Sequence, residues 1–189
     1  MILSNADILA ALNAGDINIE PLAGTNPSAP PFNTSAIDLR LASTISMPYK
    51  QASVIHRLDA PYDKEYMERN SESRDISDSK PYTLEPGQFI LGQTLEKVAF
   101  PIREGRQSYA ARVEGKSSHA RRGMLIHFTA PTIHSGFEGP ITLEIINLGA
   151  TSISLVPNIY ICQLIIEQVS SPPHAVQNQF SGQSRPSGA

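Results

Sequence analysis

The chain has 189 residues, a formal net charge of −3 and a hydrophobic fraction of 40%. This length favours one domain with its own core, and the composition is that of a globular protein. The slight acidic excess argues against a bulk nucleic-acid binder, which usually carries a strong positive excess. No apolar run approaches the length of about 18 residues that a transmembrane helix requires, so no membrane span is expected.

Cys162 is the single cysteine, which precludes an internal disulfide and is in keeping with a reducing cytoplasm, the location that we expect. The first residues lack a basic region followed by an apolar stretch, so we expect no signal peptide. No repeat or second domain is recognisable. Residues 1–168 are predicted to form a single domain, and residues 169–189, rich in Ser, Pro, Gln and Gly, a C-terminal tail.

The predicted elements begin with a helix over residues 4–14, capped by Ser4 or Asn5. Residues 22–35 are predicted as loop, 36–46 as a strand, and the polar stretch 47–81 as a surface excursion with a ribbon or short turn. From residue 82 onward, short apolar segments alternate with Pro and Gly. They predict strands over 88–92, 95–99, 107–113, 124–129, 140–147, 151–156 and 159–168. Short strands at this regular spacing are typical of an all-β sandwich or barrel.

The turn Gly-Lys-Ser-Ser at 115–118 carries two hydroxyls, and it lies in a stretch with six Lys or Arg residues between positions 103 and 122. Glycine permits a tight turn, exposed amides and hydroxyls bind phosphate oxygens, and Arg121 can bind them in a bidentate way. A Walker A loop is rejected, because Ala110 stands where that motif requires its first glycine. The pattern predicts a phosphate site; the alternative is a Gly-Ser turn with surface bases.

Glu144 lies inside an apolar strand-like run, where it shares a side with Thr142 and Ile146. A carboxylate that is buried without a partner is costly, and its pKa is raised, as a proton shuttle near neutral pH requires. We therefore expect a general acid/base with a raised pKa. The alternative is a strand glutamate that faces solvent or a salt-bridge partner.

The order of these motifs resembles the dCTP deaminase branch of the dUTPase-like superfamily. The resemblance rests on Gly-Lys-Ser-Ser at 115–118, Ala-Arg-x-Gly at 120–123, His-x-Thr-Ala at 127–130, Gly-Phe-x-Gly at 136–139, Ile-Thr-Leu-Glu-x-x-Asn-x-Gly at 141–149 and Gln-Phe-Ser-Gly-Gln at 179–183. It implies a mainly β fold, a distorted β-barrel or jelly-roll of the β-clip type with a short N-terminal helix. It also implies a homotrimer with sites between subunits.

The resemblance further implies hydrolytic deamination of dCTP to dUTP and ammonia, with Mg²⁺ arriving on the triphosphate. Glu144 matches the family's catalytic glutamate, and Ser117 and Arg121 match its essential serine and arginine. Phe137 is expected beneath the sugar, where a flat ring leaves no room for a 2′-hydroxyl; the alternative is a hairpin core aromatic. The positions expected to bind substrate are Lys116, Ser118, Ile126, Phe128, Thr129, Ala130, Phe137, Gln163, Gln179 and Gln183.

Zinc chemistry is not expected. Zinc-dependent deaminases carry a His-x-Glu motif and a Pro-Cys-x-x-Cys pair. This chain has one cysteine, and its five histidines form no tight ligand pair. Water activation is thereby left to Glu144, as the resemblance implies.

His134 is the main departure from the family pattern. It follows Ile133, where dUTPases and bifunctional deaminase–diphosphatases typically carry an aspartate that handles the hydrolytic water. We infer that pyrophosphate cleavage is impaired or absent. Two alternatives stay open: a bifunctional enzyme that continues to dUMP, and a non-catalytic nucleotide-binding β module.

Overall fold

Strands dominate the structure, a computed structural model that describes residues 1–51, 53–57, 59–176 and 182–187. The helices are α1 (Asn5–Asn13), α2 (Lys64–Arg69) and α3 (Ser117–Ala120). The strands are β1 (Asn18–Glu20), β2 (Phe32–Asn33), β3 (Ala36–Arg40), β4 (Thr44–Pro48), β5 (Ser71–Asp75), β6 (Tyr82–Leu84), β7 (Phe89–Ala99), β8 (Tyr109–Gly115), β9 (Met124–Ile126), β10 (Thr132–Ile133), β11 (Glu138–Asn147), β12 (Ile153–Leu155) and β13 (Tyr160–Gln168).

Two antiparallel sheets share one core. The first has the order β5-β4-β7-β11-β9 with β1 on β7, the second the order β10-β8-β13-β3-β2, and β12 pairs with β6. Apolar side chains from both sheets interdigitate, among them Ile90 and Leu143 from the first and Leu39 and Leu164 from the second. The prediction of a mainly β fold is confirmed. Within the described ranges the strands form two large open sheets and one two-stranded sheet, and no closed barrel.

Helix α1 confirms the predicted N-terminal helix. Ser4 caps it: its Oγ accepts a hydrogen bond from the backbone N–H of Asp7, and the Asp7 carboxylate accepts one from the Ser4 backbone. The helix buries Ile8 against the core. Among the described residues, no helix is long and apolar enough to cross a bilayer.

The pairing of β7 with β11 positions the candidate site. The two strands predicted at 88–92 and 95–99 are one continuous strand, β7. Gly92 lies within this strand, where its lack of a side chain leaves space for Ile145 and Leu41, and it does not mark a turn. The register sets Glu144 opposite Leu91 and Thr142 opposite Gln93. Side chains opposite each other on neighbouring strands share a face. Glu144 and Thr142 therefore lie on one side of the sheet, and Leu143 and Ile145, which alternate with them, face the core, as predicted.

Gly123 and Gly149 touch backbone to backbone where β9 meets the end of β11. A Cβ on Gly149 would lie 2.3 Å from the Arg122 carbonyl oxygen, and one on Gly123 would lie 2.3 Å from the backbone of Gly149. The N–H of Leu148 donates to the Gly123 carbonyl at 2.8 Å. This contact ties α3 to the strand that carries Glu144, and it explains why both motifs end in glycine.

Replacement of Gly149 by Ala is expected to lower the free energy of unfolding by about 1–3 kcal/mol, because backbone must move to admit the methyl group. Gly115→Ala is the matched control, since a Cβ there meets nothing within 4 Å. That control should be neutral or slightly stabilising, as glycine removal restricts the unfolded chain. Urea denaturation of both variants checks this, and equal stability of the two would refute the close-contact argument.

Candidate functional site

A cavity of about 350 Å³ opens on the face of the sheet that carries Glu144. Strands β7, β10 and β11 and the turns beside them form most of its wall, and residues from the excursion and the tail complete it. Its lining residues are Tyr62, Leu91, His127, Ala130, Thr132, Ile133, His134, Phe137, Ile141, Thr142, Glu144, Gln183, Pro186 and Ser187. Of the positions predicted from sequence, this cavity brings together Glu144, Ala130, Phe137 and Gln183.

Glu144 and His127 lie next to each other in the wall of the cavity. The ladder between β9 and β11 ends at Ile126, and the next residue, His127, turns with a φ of 55° while its N–H donates to the Glu144 carbonyl at 2.8 Å. This turn brings the ring back onto the glutamate, so that Nδ1 lies 2.8 Å from the carboxylate Oε2. The ring N–H does not align along that line, so both atoms retain capacity for a further hydrogen bond.

The pKa of Glu144 differs from the prediction. Burial raises the pKa of this carboxyl, but the adjacent His127 ring and a backbone N–H together outweigh burial and hold the pKa below its usual value. The expectation of a raised pKa was wrong, because it assumed a buried carboxylate without a partner. Glu144 is ionised at neutral pH and is ready to accept a proton.

Several buried polar atoms beside Glu144 have no hydrogen-bond partner in the protein. They are the Thr142 hydroxyl oxygen, the Glu144 Oε2 atom and both ring nitrogens of His127. A buried polar atom without a partner is costly, and such atoms converge where a ligand or water satisfies them. Donors and acceptors grouped in this way suit the polar edge of a small planar molecule.

Phe137 lies at the end of a tight turn, where its N–H donates to the His134 carbonyl and Gly136 adopts a φ of 88°. The ring is 5% exposed, belongs to the core cluster and also lines the cavity. Both sequence interpretations are therefore compatible with its place: it packs as a hairpin aromatic and presents a flat surface to the cavity.

The segment 126–130 contributes unevenly. Ile126 is buried in β9, whereas Phe128 and Thr129 are exposed and do not line the cavity. The Phe128 ring packs edge-on against Phe89, with ring centroids 6.5 Å apart. His127 and Ala130 are the members of this segment that reach the cavity.

The predicted phosphate residues form a separate cluster around α3. Ser117, Ser118 and Arg121 are exposed. Lys116 is paired with Asp38 at 2.5 Å, and Gln163 lies directly opposite Asp38 on β13. None of these residues lines the cavity of the same chain.

The tail crosses the cavity beside β11. The Gly182 N–H donates to the Glu138 carbonyl at 2.8 Å, and the Gln183 side chain donates to the Pro140 carbonyl at 2.8 Å. Gln183 is 7% exposed. Gln179 and Phe180 lie outside the described residues.

Comparison with known proteins shows the family of this chain. Residues 2–169 match the model of the dCTP deaminase-like family. The chain belongs to this family. It is 37% identical to a dUMP-forming dCTP deaminase of Methanosphaera stadtmanae, over 90% of this chain and 81% of the relative. It is 35% identical to a dCTP deaminase of Haloarcula marismortui, over 98% and 92%.

Solved structures support the fold. The 2′-deoxycytidine 5′-triphosphate deaminase from Agrobacterium tumefaciens superposes with a TM-score of 0.64 at 20% identity, over 94% of this chain. The chain covers half of the length of that protein. At this identity the likeness concerns the fold alone, and it agrees with the predicted mainly β fold.

Sequence reasoning missed several cavity residues of this family member, among them His127, Thr142 and Tyr62. His127 was part of a quoted motif, but nothing in its spacing showed that a left-handed turn directs its ring to Glu144. Thr142 was placed on the correct side of the strand without a role. Tyr62 belongs to the excursion, which carries no recognisable motif. Within the described ranges, no three His, Cys, Asp or Glu side chains are grouped to hold a metal ion.

Proposed function

We propose that this protein deaminates dCTP to dUTP and ammonia and so contributes to pyrimidine deoxynucleotide supply. The observation that carries the proposal is the cavity in which an ionised Glu144, unpartnered polar atoms of Thr142 and His127, and the Phe137 ring converge. Membership of the dCTP deaminase-like family supports the identity of the substrate.

In the proposed reaction, Glu144 takes a proton from water while the water oxygen forms a bond to C4 of cytosine. Glu144 passes that proton to N3, which gives a tetrahedral intermediate. The C4 hydroxyl then returns a proton through Glu144 to the amino nitrogen. The bond between C4 and the amino nitrogen breaks, ammonia leaves and a C4 carbonyl remains. Positioning and electrostatic preorganisation of this kind supply most of the rate enhancement.

His127 lies beside Glu144 throughout this sequence. Its ring favours the ionised carboxylate, which is the form that must accept the first proton. Phe137 is proposed to lie beneath the sugar, where its buried position leaves no space for a 2′-hydroxyl.

The phosphate half of the site is proposed to come from a neighbouring subunit of a homotrimer. Ser117, Ser118 and Arg121 are exposed and lie outside the cavity of their own chain, which leaves them accessible to a neighbouring subunit. The exposed Phe89–Phe128 pair offers apolar surface for such a contact. In this arrangement Ser117 and Arg121 orient the water, the carboxylate and the phosphates.

Ser118, Lys116 and Gln163 are proposed to complete the phosphate contacts, and Gln179 and Gln183 to act from the tail. Lys116 already donates a hydrogen bond to the Asp38 carboxylate, so in a phosphate complex its positive charge is shared between Asp38 and the phosphate. Mg²⁺ is proposed to enter with the triphosphate as part of the substrate, since two or three phosphate groups supply the oxygen ligands that it prefers.

His134 favours a reaction that stops at dUTP. Its imidazole lines the cavity at the position where the resemblance leads one to expect a carboxylate. The second candidate is a bifunctional enzyme that yields dUMP, and it is favoured by the dUMP-forming relatives. The two differ only in product.

Incubation of the purified protein with dCTP and Mg²⁺, followed by anion-exchange separation, tests the proposal. Accumulation of dUTP without dUMP supports the monofunctional deaminase. Formation of dUMP from dCTP would show the bifunctional enzyme. Unchanged dCTP at high protein concentration would contradict deaminase activity and favour a nucleotide-binding module.

Replacement of His127 by Asn is expected to shift the acid limb of the pH profile of kcat/KM to higher pH. The folded pKa of Glu144 is depressed by His127, so without this ring burial dominates and the carboxyl protonates at higher pH. Asparagine tolerates the left-handed backbone at this position. Initial rates from pH 4 to pH 9 check this, with His134→Asn as the control. An acid limb that does not move would mean that His127 does not set the protonation of Glu144.

A further inference from the structure

The excursion between β4 and β5 reaches the candidate site through Tyr62. The Tyr62 hydroxyl donates to the backbone carbonyl of Ser187 at 3.0 Å, 125 residues away in sequence. One turn further on, Glu68 of α2 forms an ion pair with Arg185. Two separate contacts therefore join residues 59–70, the excursion wall, to the tail.

The excursion wall is held in place by its own hydrogen bonds. Asp63 caps α2 by accepting from the Tyr66 N–H at 2.8 Å, directly after Tyr62. The Tyr66 hydroxyl donates to Gln51, whose side-chain nitrogen donates to Asn70 at 2.6 Å. Asn70 adjoins β5, which pairs with β4. This chain of contacts fixes where Tyr62 projects.

Both ends of the Tyr62–Ser187 contact belong to the cavity that holds Glu144. Burial and, to a lesser extent, the negative charge of Glu144 raise the pKa of the Tyr62 phenol. The hydroxyl therefore remains protonated and able to donate across the neutral pH range. A donor that keeps its proton suits a backbone carbonyl, which can only accept.

We propose that Tyr62 is a positioning residue that holds the tail across the cavity, and that the excursion wall forms one side of the closed site. Tyr62 acts through the tail: its hydrogen bond, with the Glu68–Arg185 ion pair, favours the closed arrangement of residues 182–187. Because nucleotide contacts from Gln183 require that arrangement, Tyr62 affects substrate affinity more than the chemical step. This inference rests on the proposed deaminase function.

The first test compares Tyr62→Phe with Tyr49→Phe in the full chain. Loss of one hydrogen bond of about 1 kcal/mol is expected to raise KM for dCTP about fivefold in Tyr62→Phe, with kcat within about twofold. Tyr49→Phe removes a hydroxyl from the same excursion, on an exposed ring that does not line the cavity, and its KM should stay close to that of the parent protein. Equal KM values in all three proteins, or an equal change in both variants, would overturn the proposal.

The second test exchanges the charges of the ion pair. Glu68→Arg and Arg185→Glu are each expected to raise KM, and the double variant is expected to restore it, since attraction is regained in the reverse sense. A loss of solely structural origin would not be restored by the second substitution. Additive defects in the double variant would contradict the proposed clasp, which consists of the Tyr62–Ser187 hydrogen bond and the Glu68–Arg185 ion pair.

Hydrogen–deuterium exchange of the free protein separates this inference from the proposed function. The Gly182 amide, hydrogen-bonded to the Glu138 carbonyl, should exchange several-fold faster in Tyr62→Phe than in Tyr49→Phe. If the parent protein does not turn over dCTP but exchange is still faster in Tyr62→Phe, the deaminase proposal is refuted and the role of Tyr62 in holding the tail is supported. Normal turnover with unchanged exchange and unchanged KM would retain the deaminase and refute the clasp.

Discussion

Replacement of Glu144 by Gln is expected to lower kcat for dCTP deamination by about 10²- to 10⁴-fold, the usual contribution of a general acid/base. Glutamine keeps the shape of the side chain and its place beside Thr142 and His127, but it cannot accept the proton of water. Binding of dCTP should stay within about tenfold, because a loss larger than about 1.4 kcal/mol would require lost substrate contacts.

Steady-state kinetics and isothermal titration calorimetry of the variant distinguish these effects. Glu138→Gln is the matched control, since Glu138 lies on the same strand, is exposed and does not line the cavity. It should retain parental kcat. Similar turnover in Glu144→Gln and the parent protein would contradict the mechanism, and a loss of binding alone would make Glu144 a substrate ligand.

Replacement of Arg121 by Ala is expected to weaken dCTP binding by about 10²- to 10⁴-fold and to lower kcat/KM at least as much. A bidentate arginine makes two charge-assisted hydrogen bonds to phosphate, each contributing about 1.5–3 kcal/mol. Arg121 is exposed and pairs with no carboxylate among the described residues, so its removal leaves the fold intact. The loss therefore concerns the ligand.

Arg122→Ala controls for the loss of one positive charge, because Arg122 is the adjacent residue and is equally exposed. It should bind dCTP with parental affinity. Comparison of dCTP with deoxycytidine sharpens the result: Arg121→Ala should bind the nucleoside as the parent protein does. Normal dCTP binding by Arg121→Ala would place the phosphate site elsewhere.

The assembly decides how these two variants interact. If the sites lie between subunits, as proposed, mixed oligomers of Glu144→Gln and Arg121→Ala chains contain some sites with both parental residues. Such mixtures would recover part of the parental activity, whereas sites within one chain would recover none. Sedimentation of the parent protein reports whether the oligomer is a trimer.

Local sequence determined much of the fold. Ser4 and Asp7 specify the start of α1 because a capping box needs only neighbouring residues. The alternation around Glu144 specifies which side chains leave the core, since a strand has a period of two. The short β1, β2, β5, β6 and β10 were not predicted as strands, because two to five residues carry too little periodicity.

The chemistry of the site was predictable in its residue types but not in its arrangement. The motifs identified Glu144, Phe137 and the 115–121 turn, because each motif consists of residues that are close together in the sequence. The pairing of His127 with Glu144 depends on a β9–β11 register and a left-handed turn, which no local pattern reveals. Because of that pairing, the pKa of Glu144 is lowered, whereas the sequence led us to expect a raised pKa.

The sequence alone determined a mainly β fold of the dCTP deaminase-like family, a short capped helix and the residues that we propose to handle water and phosphate. The tertiary structure alone decided which of them meet: Glu144, His127 and Phe137 in one cavity, and Arg121 outside it. It also assigned a place to Tyr62, since the excursion wall and the tail are in contact only after both sheets have formed. The physical reason is distance along the chain, because hydrogen bonds between remote residues leave no periodic trace in the sequence.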